Sequence, residues 1–162
     1  MSTNAESENP EPDLEFSDTV SIDADKETVW AFISDAQNLA DVVPGAKSVE
    51  QVSDRRYAVE LERGIGRVRV KIDGEVELVE MDEPHWIIAE GEGFDSTTGS
   101  TFELSAGMEM VETGANGVEL SYSAQVFYSG GIARVGNRLL RKFVVGDVEK
   151  YFDNVKARVE SE

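Results

Sequence analysis

Cysteine is absent from this 162-residue chain. That excludes a disulfide framework, a thiolate nucleophile and any thiolate-ligated metal. The only histidine is His85, between Pro84 and Trp86 at the start of an apolar run, and one imidazole cannot build a metal site unaided. Basic residues are scarce as well: 15 Lys plus Arg, 6 of them lysine, face 33 Asp plus Glu and leave a net charge of −18. Phosphate binding needs cations to displace counterions, so this surface excludes nucleic acid as a partner and disfavours anionic lipid headgroups. No apolar run approaches the ~20 residues that span a bilayer. The N-terminus, Met1-Ser2-Thr3-Asn4-Ala5-Glu6, lacks the basic start and apolar core of a secretory signal. The expectation is a soluble, cytoplasmic protein with no integral membrane anchor. Its acidity has two readings, a solvated self-repelling surface or adaptation to a high-salt cytoplasm, and the low lysine share favours the second.

What is present is one domain's worth of patterned chain, since roughly 100–200 residues is the usual span of a domain. Residues 1–13 hold four acids, no base and two prolines; too little is apolar there to offset ordering entropy, which predicts a disordered tail and a folded domain over 14–162. Leu14, Phe16, Val20 and Ile22 alternate as a strand does. Asp25 and Glu27 open a short helix with the apolar face Val29, Trp30, Phe32 and Ile33, and a second runs from Ala36 to Val42, ending at Pro44-Gly45.

Six strands are then predicted. One is short, at Val49–Val52, and Tyr57, Val59 and Leu61 alternate in the next, with Gly64 and Gly66 marking a turn. Val68, Val70, Ile72, Val76 and Leu78 share one face of the clearest strand, with charges on the other, as in an antiparallel sheet with one wet side. Gly74 interrupts that apolar face, where a bend is expected. Further strands follow at Trp86–Glu90, at the alternation from Phe102 to Met110, and at that from Val118 to Tyr128. After Gly130-Gly131 the period becomes helical, with Ile132, Val135, Leu139, Phe143, Val148, Phe152, Val155 and Val159 on one face. A helix over about 132–159 would be roughly 40 Å long and would cover the apolar side of the sheet. The fold class read from this order is α+β: a curved antiparallel sheet of about seven strands around a long C-terminal helix, with two short helices after the first strand.

Three segments carry a family resemblance. They are Val29-Trp30-Ala31-Phe32-Ile33-Ser34-Asp35 with Val43-Pro44-Gly45-Ala46, Gly66-Arg67-Val68-Arg69-Val70-Lys71-Ile72-Asp73-Gly74, and Gly130-Gly131-Ile132-Ala133-Arg134-Val135-Gly136-Asn137-Arg138-Leu139. The element order resembles the helix-grip fold of the START/Bet v 1-like (SRPBCC) superfamily over about residues 14–160, and the three segments resemble the carbon monoxide dehydrogenase CoxG family within it. The resemblance implies an apolar cavity under the last helix. It also implies an accessory role beside a molybdenum-containing carbon monoxide dehydrogenase, with handling of a hydrophobic quinone as the proposed task. Longer members end in a hydrophobic anchor, whereas here the sequence stops at Glu162, after the helix, so self-anchoring is not expected.

Candidate ligand contacts follow from strand parity, helical spacing and that resemblance. Met108 and Met110 are adaptable apolar groups on one strand face. Val70, Val135, Leu139 and Phe143 would wall the cavity from sheet and helix. Pro44 and Gly45 would form one side of its entrance, and Phe94, in the loop Gly93-Phe94-Asp95-Ser96, a lid. Tyr57 and Tyr122 could place a hydroxyl inside to orient a ligand carbonyl. For each, ordinary core, turn or loop packing is the competing reading. Gly64-Ile65-Gly66 lacks the helix and third glycine of a phosphate cradle and is a turn. No cofactor, catalytic metal or catalytic residue is expected. The function expected is binding of a small lipophilic molecule, a quinone or isoprenoid, without catalysis. A cyclase or dehydratase on the same fold would need ionisable groups in the cavity, and the inward sets above carry tyrosines alone. A protein-interaction adaptor with an incidental cavity is the third reading.

Overall fold

A computed structural model describes residues 11–114 and 116–161. The chain runs β1 (Leu14–Ile22), α1 (Lys26–Ile33), α2 (Ala36–Val42), β2 (Ala46–Ser53), β3 (Arg56–Ile65), β4 (Val68–Asp82), β5 (Trp86–Asp95), β6 (Ser100–Glu112), β7 (Val118–Ser129), a 3-10 turn (Gly131–Val135) and α3 (Asn137–Glu160). All pairings are antiparallel, in the order β1-β7-β6-β5-β4-β3-β2. This is the helix-grip arrangement expected from the sequence: one sheet, two short helices after its first strand, and a long last helix.

Local chemistry sets the element ends. The Asp25 carboxylate accepts from the Thr28 N–H at 2.8 Å and caps α1; Asp35 does the same for α2 through the Asn38 N–H at 3.0 Å. The C-terminal helix is shorter than its periodicity suggests. Gly136 takes φ +97°, a conformation that ordinary residues avoid, and splits the run into the 3-10 turn and the 24-residue α3. Strand β5 reaches Asp95, so Phe94 belongs to a strand rather than to the loop expected for it. Residues 1–10 of the expected tail lie outside the described residues. Asp13, assigned to that tail by composition, is anchored instead: its N–H donates to Val126 O and its carboxylate accepts from the Tyr128 N–H, both at 2.9 Å.

Register fixes which side chains face α3. Ile72, Gly74, Val76 and Leu78 of β4 stand opposite Asp95, Gly93, Gly91 and Ala89 of β5, and the β5 set meets Ser100, Phe102, Leu104 and Ala106 of β6. Small residues therefore occupy the middle of the concave face. A side chain on Gly74 would strike the Glu92 carbonyl, and one on Gly93 would press into Ile72, so this pair marks where the sheet bends most closely on itself.

The core is divided. One cluster gathers Trp30, Phe32, Val42, Met110, Leu120, Phe152 and Val155 where α1 and α2 meet the C-terminal half of α3. The second joins Ile65, Val70, Ile132 and Leu140 at the other end. Domains of this size usually form one contiguous core. Here Val59, Leu61, Val76, Gly91, Leu104 and Ala106, all on the concave side between the clusters, stay half-buried.

The convex face is acidic in a specific way. Glu92 stands directly opposite Glu75 on one side and Glu103 on the other, and Glu77 opposes Glu90. Arg56 offsets part of this through ion pairs to Glu75 and Glu77 at 3.0 and 3.2 Å. Like charges across a strand pair are destabilising by a few tenths of a kcal/mol, and salt screens them. Glu92→Gln is expected to raise stability by about 0.5–1 kcal/mol in dilute buffer, with the gain vanishing in molar potassium chloride. Chemical unfolding at the two salt concentrations checks this; an equal gain in both would mean that charge is not its cause.

Candidate functional site

A cleft of about 490 Å³ opens on the concave side between α1 and the β2–β4 half of the sheet. Its apolar lining is Trp30 and Ala31 from α1 with Tyr57, Leu78, Met81 and Pro84 from the strands and the β4–β5 turn, and Glu27, Asp54 and Glu83 contribute carboxylates. Parity explains the floor: Tyr57 pairs with Val76, and Leu78 with Ala89, all on the inner face. The roof follows from α1, whose Val29, Trp30, Phe32 and Ile33 turn inward while Ala31 stays exposed at the rim. The cleft lies on the expected side of the sheet, but α1 covers it rather than α3.

The eleven sequence candidates separate into groups. Of these, Tyr57 alone lines the cleft, and its hydroxyl is committed, donating to Ser34 O at 2.9 Å. Burial, with the Asp35 charge nearby, holds its phenol above the ordinary range. Met110, Met108 and Tyr122 belong to the first core cluster; Tyr122 stacks on Phe152 with centroids 4.5 Å apart. Burial, then the charges of Asp18, Glu149 and Asp153, also raise the Tyr122 phenol. Val70, Val135, Leu139 and Phe143 belong to the second cluster. Phe94 is 49% exposed and pairs in register with Asp73 and Thr101, whose phase is the convex face, so its ring points away from the cleft.

Pro44 and Gly45 form the turn from α2 into β2. Gly45 sits at φ +78°, and a Cβ there would overlap the Arg63 stem and the Glu62 carbonyl. That close approach identifies a residue absent from the sequence candidates. Arg63 continues the inward phase of Tyr57, Val59 and Leu61, and its guanidinium donates from Nε and Nη2 to the two carboxylate oxygens of Asp147 on α3, at 2.9 and 2.6 Å. Sheet and helix are thus tied by a bidentate pair beside the Pro44-Gly45 turn. The signal is present in the two-residue period; the charge on Arg63 hides it, because inward positions are expected to be apolar.

A second polar group stands on the inner phase, at Asp95. It is fully buried and accepts from the N–H groups of Lys71, Thr97 and Thr98 at 2.9, 3.1 and 3.0 Å, and from the Thr98 hydroxyl. Burial works to raise this carboxyl, and the hydrogen bonds outweigh it, leaving it below the usual range. Ser100, also fully buried, bridges onward: its hydroxyl contacts Thr98 and accepts from the Ile132 N–H at 2.8 Å. This network fastens the β5–β6 turn to the segment entering α3. Its bonds are internal, which makes it a structural anchor. Among the described residues no group of three or more His, Asp or Glu is placed to hold a metal, and no helix is long and apolar enough to cross a membrane.

Comparison with known proteins agrees with this architecture. A conserved protein from Geobacillus kaustophilus superposes with a TM-score of 0.84 at 19% identity, covering 91% of this chain and 96% of that one. A START superfamily protein from Mycobacterium smegmatis gives 0.70 at 17% identity over 91% and 97% of the two chains. The Zhui aromatase/cyclase from a Streptomyces species gives 0.69 at 16% over 91% and 93%. At these identities the likeness is one of fold. No curated protein sequence matches the chain closely enough to count as a relative. The family model for the CoxG subunit of carbon monoxide dehydrogenase matches residues 19–160, nearly the whole folded domain, and supports a ligand-binding helix-grip protein: the chain belongs to the carbon monoxide dehydrogenase CoxG family.

Proposed function

We propose that this protein carries a small, uncharged lipophile, of quinone or isoprenoid type, in its concave cleft without transforming it. The observation that carries this reading is the cleft of about 490 Å³ floored by Trp30, Tyr57, Leu78 and Met81, beside a concave face whose apolar residues stay half-buried. Apolar surface left partly wet at the centre of a domain is what a hydrophobic guest would cover. Burying about 200 Å² of such a guest contributes about 5 kcal/mol at 25 cal/mol per Å², and a ring system with a short prenyl stub fits a pocket of this size. Family membership supports a redox setting, with a carbon monoxide dehydrogenase-type enzyme as the partner that loads or unloads the cargo in the cytoplasm. The acidic surface fits a protein partner better than a nucleic acid or an anionic membrane.

The competing reading is a cyclase-type enzyme, which one structural neighbour's description suggests for that protein. The carboxylates of the cleft, Glu27, Asp54 and Glu83, come from its outer parts: the first turn of α1 and the turns joining β2 to β3 and β4 to β5. That placement favours solvation over acid–base work on a buried substrate. Ala31→Trp tests the carrier. Ala31 is an exposed helical position on the cleft wall, so an indole there should cost under about 1 kcal/mol of stability while filling the space. Equilibrium titration with a short-chain menaquinone should show at least a tenfold loss of affinity. A wild-type protein that is empty on extraction from its own host, and binds neither menaquinone nor a prenyl lipid, would overturn the reading.

A further inference from the structure

Tyr151 sits on α3 one turn beyond Asp147, and residues four apart share a side of a helix. Asp147 is held by Arg63, an inner-face residue of β3, so that side of α3 faces the concave stretch between the two core clusters. The Tyr151 ring packs against the first cluster and meets Phe152 edge-on, with centroids 4.8 Å apart. Its hydroxyl makes no hydrogen bond to another described residue, whereas Tyr57 donates to Ser34 O and the Tyr128 hydroxyl accepts from Asn137. A buried phenol normally finds a partner. Among the described residues no side-chain oxygen or nitrogen is sealed in without one, so the Tyr151 oxygen opens on accessible space instead of being enclosed. Burial holds the phenol well above its ordinary range; it stays protonated and can donate. Tyr122 also lacks a partner, but its phenol stands among the charges of Asp18, Glu149 and Asp153 near the edge strand β1.

We infer that Tyr151 is the specificity-determining residue of the cavity, donating a hydrogen bond to an uncharged carbonyl-type oxygen at the inner end of the bound lipophile. The inference rests on the carrier reading and narrows its cargo. Hydrocarbons would leave the hydroxyl unsatisfied. Carboxylates would be buried beside Asp147, with the Arg63 cation already engaged by that carboxylate on both arms. Neutral ketones and quinones satisfy the donor and bring no charge.

The test uses the full chain and a matched pair of probes, 2-methyl-1,4-naphthoquinone and 2-methylnaphthalene, titrated against wild type, Tyr151→Phe and Tyr122→Phe. Wild type should prefer the quinone by about five- to tenfold beyond the difference in the probes' water-to-octanol partitioning, the size of one neutral hydrogen bond. Tyr151→Phe should lose that margin with its affinity for the hydrocarbon unchanged, and Tyr122→Phe should keep it. A quinone margin equal in Tyr151→Phe and wild type overturns the inference while leaving the carrier intact. Failure of both probes to bind wild type overturns the carrier and the inference with it. Should Tyr151→Phe not fold, infrared spectroscopy of the quinone bound to wild type decides the matter: a carbonyl stretch lowered from its value in hexane supports the hydrogen bond, and an unshifted one removes it.

Discussion

Asp95→Ala should lower the stability of this fold by about 3–5 kcal/mol, the largest loss expected from any single truncation here. The carboxylate satisfies three backbone N–H groups and one hydroxyl in a fully buried position; alanine leaves those donors without partners and unties the turn whose Thr98 and Ser100 hold the start of the 3-10 segment. For a domain of this length the melting temperature should fall by about 10 °C or more. The same group gives the loss a pH signature. Its folded carboxyl lies below the usual range, so its contribution is complete above the unfolded value of about 4 and disappears as pH falls through the lower folded value. Wild type should therefore lose stability in acid more steeply than the alanine variant, the two curves converging there. Unfolding curves at pH 7 and in the acid range check both statements; a constant difference between the proteins would show that the carboxylate's charge is irrelevant.

Gly45→Val should be the next most damaging change, costing about 2–4 kcal/mol. Two causes add. The backbone sits at φ +78°, which a β-branched residue resists, and the new side chain would collide with the Arg63 stem and the Glu62 carbonyl. The stem can move, which would draw the guanidinium off Asp147; the carbonyl cannot move without breaking the bond it flanks, Glu62 N–H to Gly45 O at 2.8 Å. The expected result is a lower denaturation midpoint, together with loosening of α3 against β3, seen as faster amide exchange around Asp147. Gly45→Ala separates the causes in part, since alanine carries the collision without the branched side chain. A valine variant as stable as wild type would mean that the turn is free to rearrange.

The sheet and its companions are legible in the sequence because their signals are strictly periodic. Val68 to Leu78 alternates without exception apart from Gly74, Asp25 caps as a helix-starting aspartate does, and Pro44-Gly45 ends α2 where a helix must end. The site is less legible, for reasons that can be named. Sorting residues into apolar-inside and polar-outside hides inward charges, and so Arg63 and Asp95 escape notice though both keep the parity of their strands. On α3 the eye follows Phe152 and passes over its neighbour Tyr151, because one-residue offsets on a helix turn by ~100° and only the packing decides which face matters. The position of the cleft depends on how α1 lies across β2–β4, a tertiary angle that no local pattern encodes. Phe94 is misjudged through strand length: Gly91 and Gly93 look like loop residues, yet they are paired positions that open the concave face.

The division of the core into two clusters has a thermodynamic corollary. Atoms along the seam lack the neighbours that close packing would supply, so the empty protein forgoes dispersion energy that a continuous interior would have. A guest seated there would act as a removable piece of the interior, joining the two ends into one cooperative unit. Occupancy and folding then share a single equilibrium: every tenfold of ligand above its dissociation constant adds about 1.4 kcal/mol to the native state. A partner that draws the cargo out must supply that same free energy, and delivery is thereby coupled to how firmly the two halves of the protein hold together.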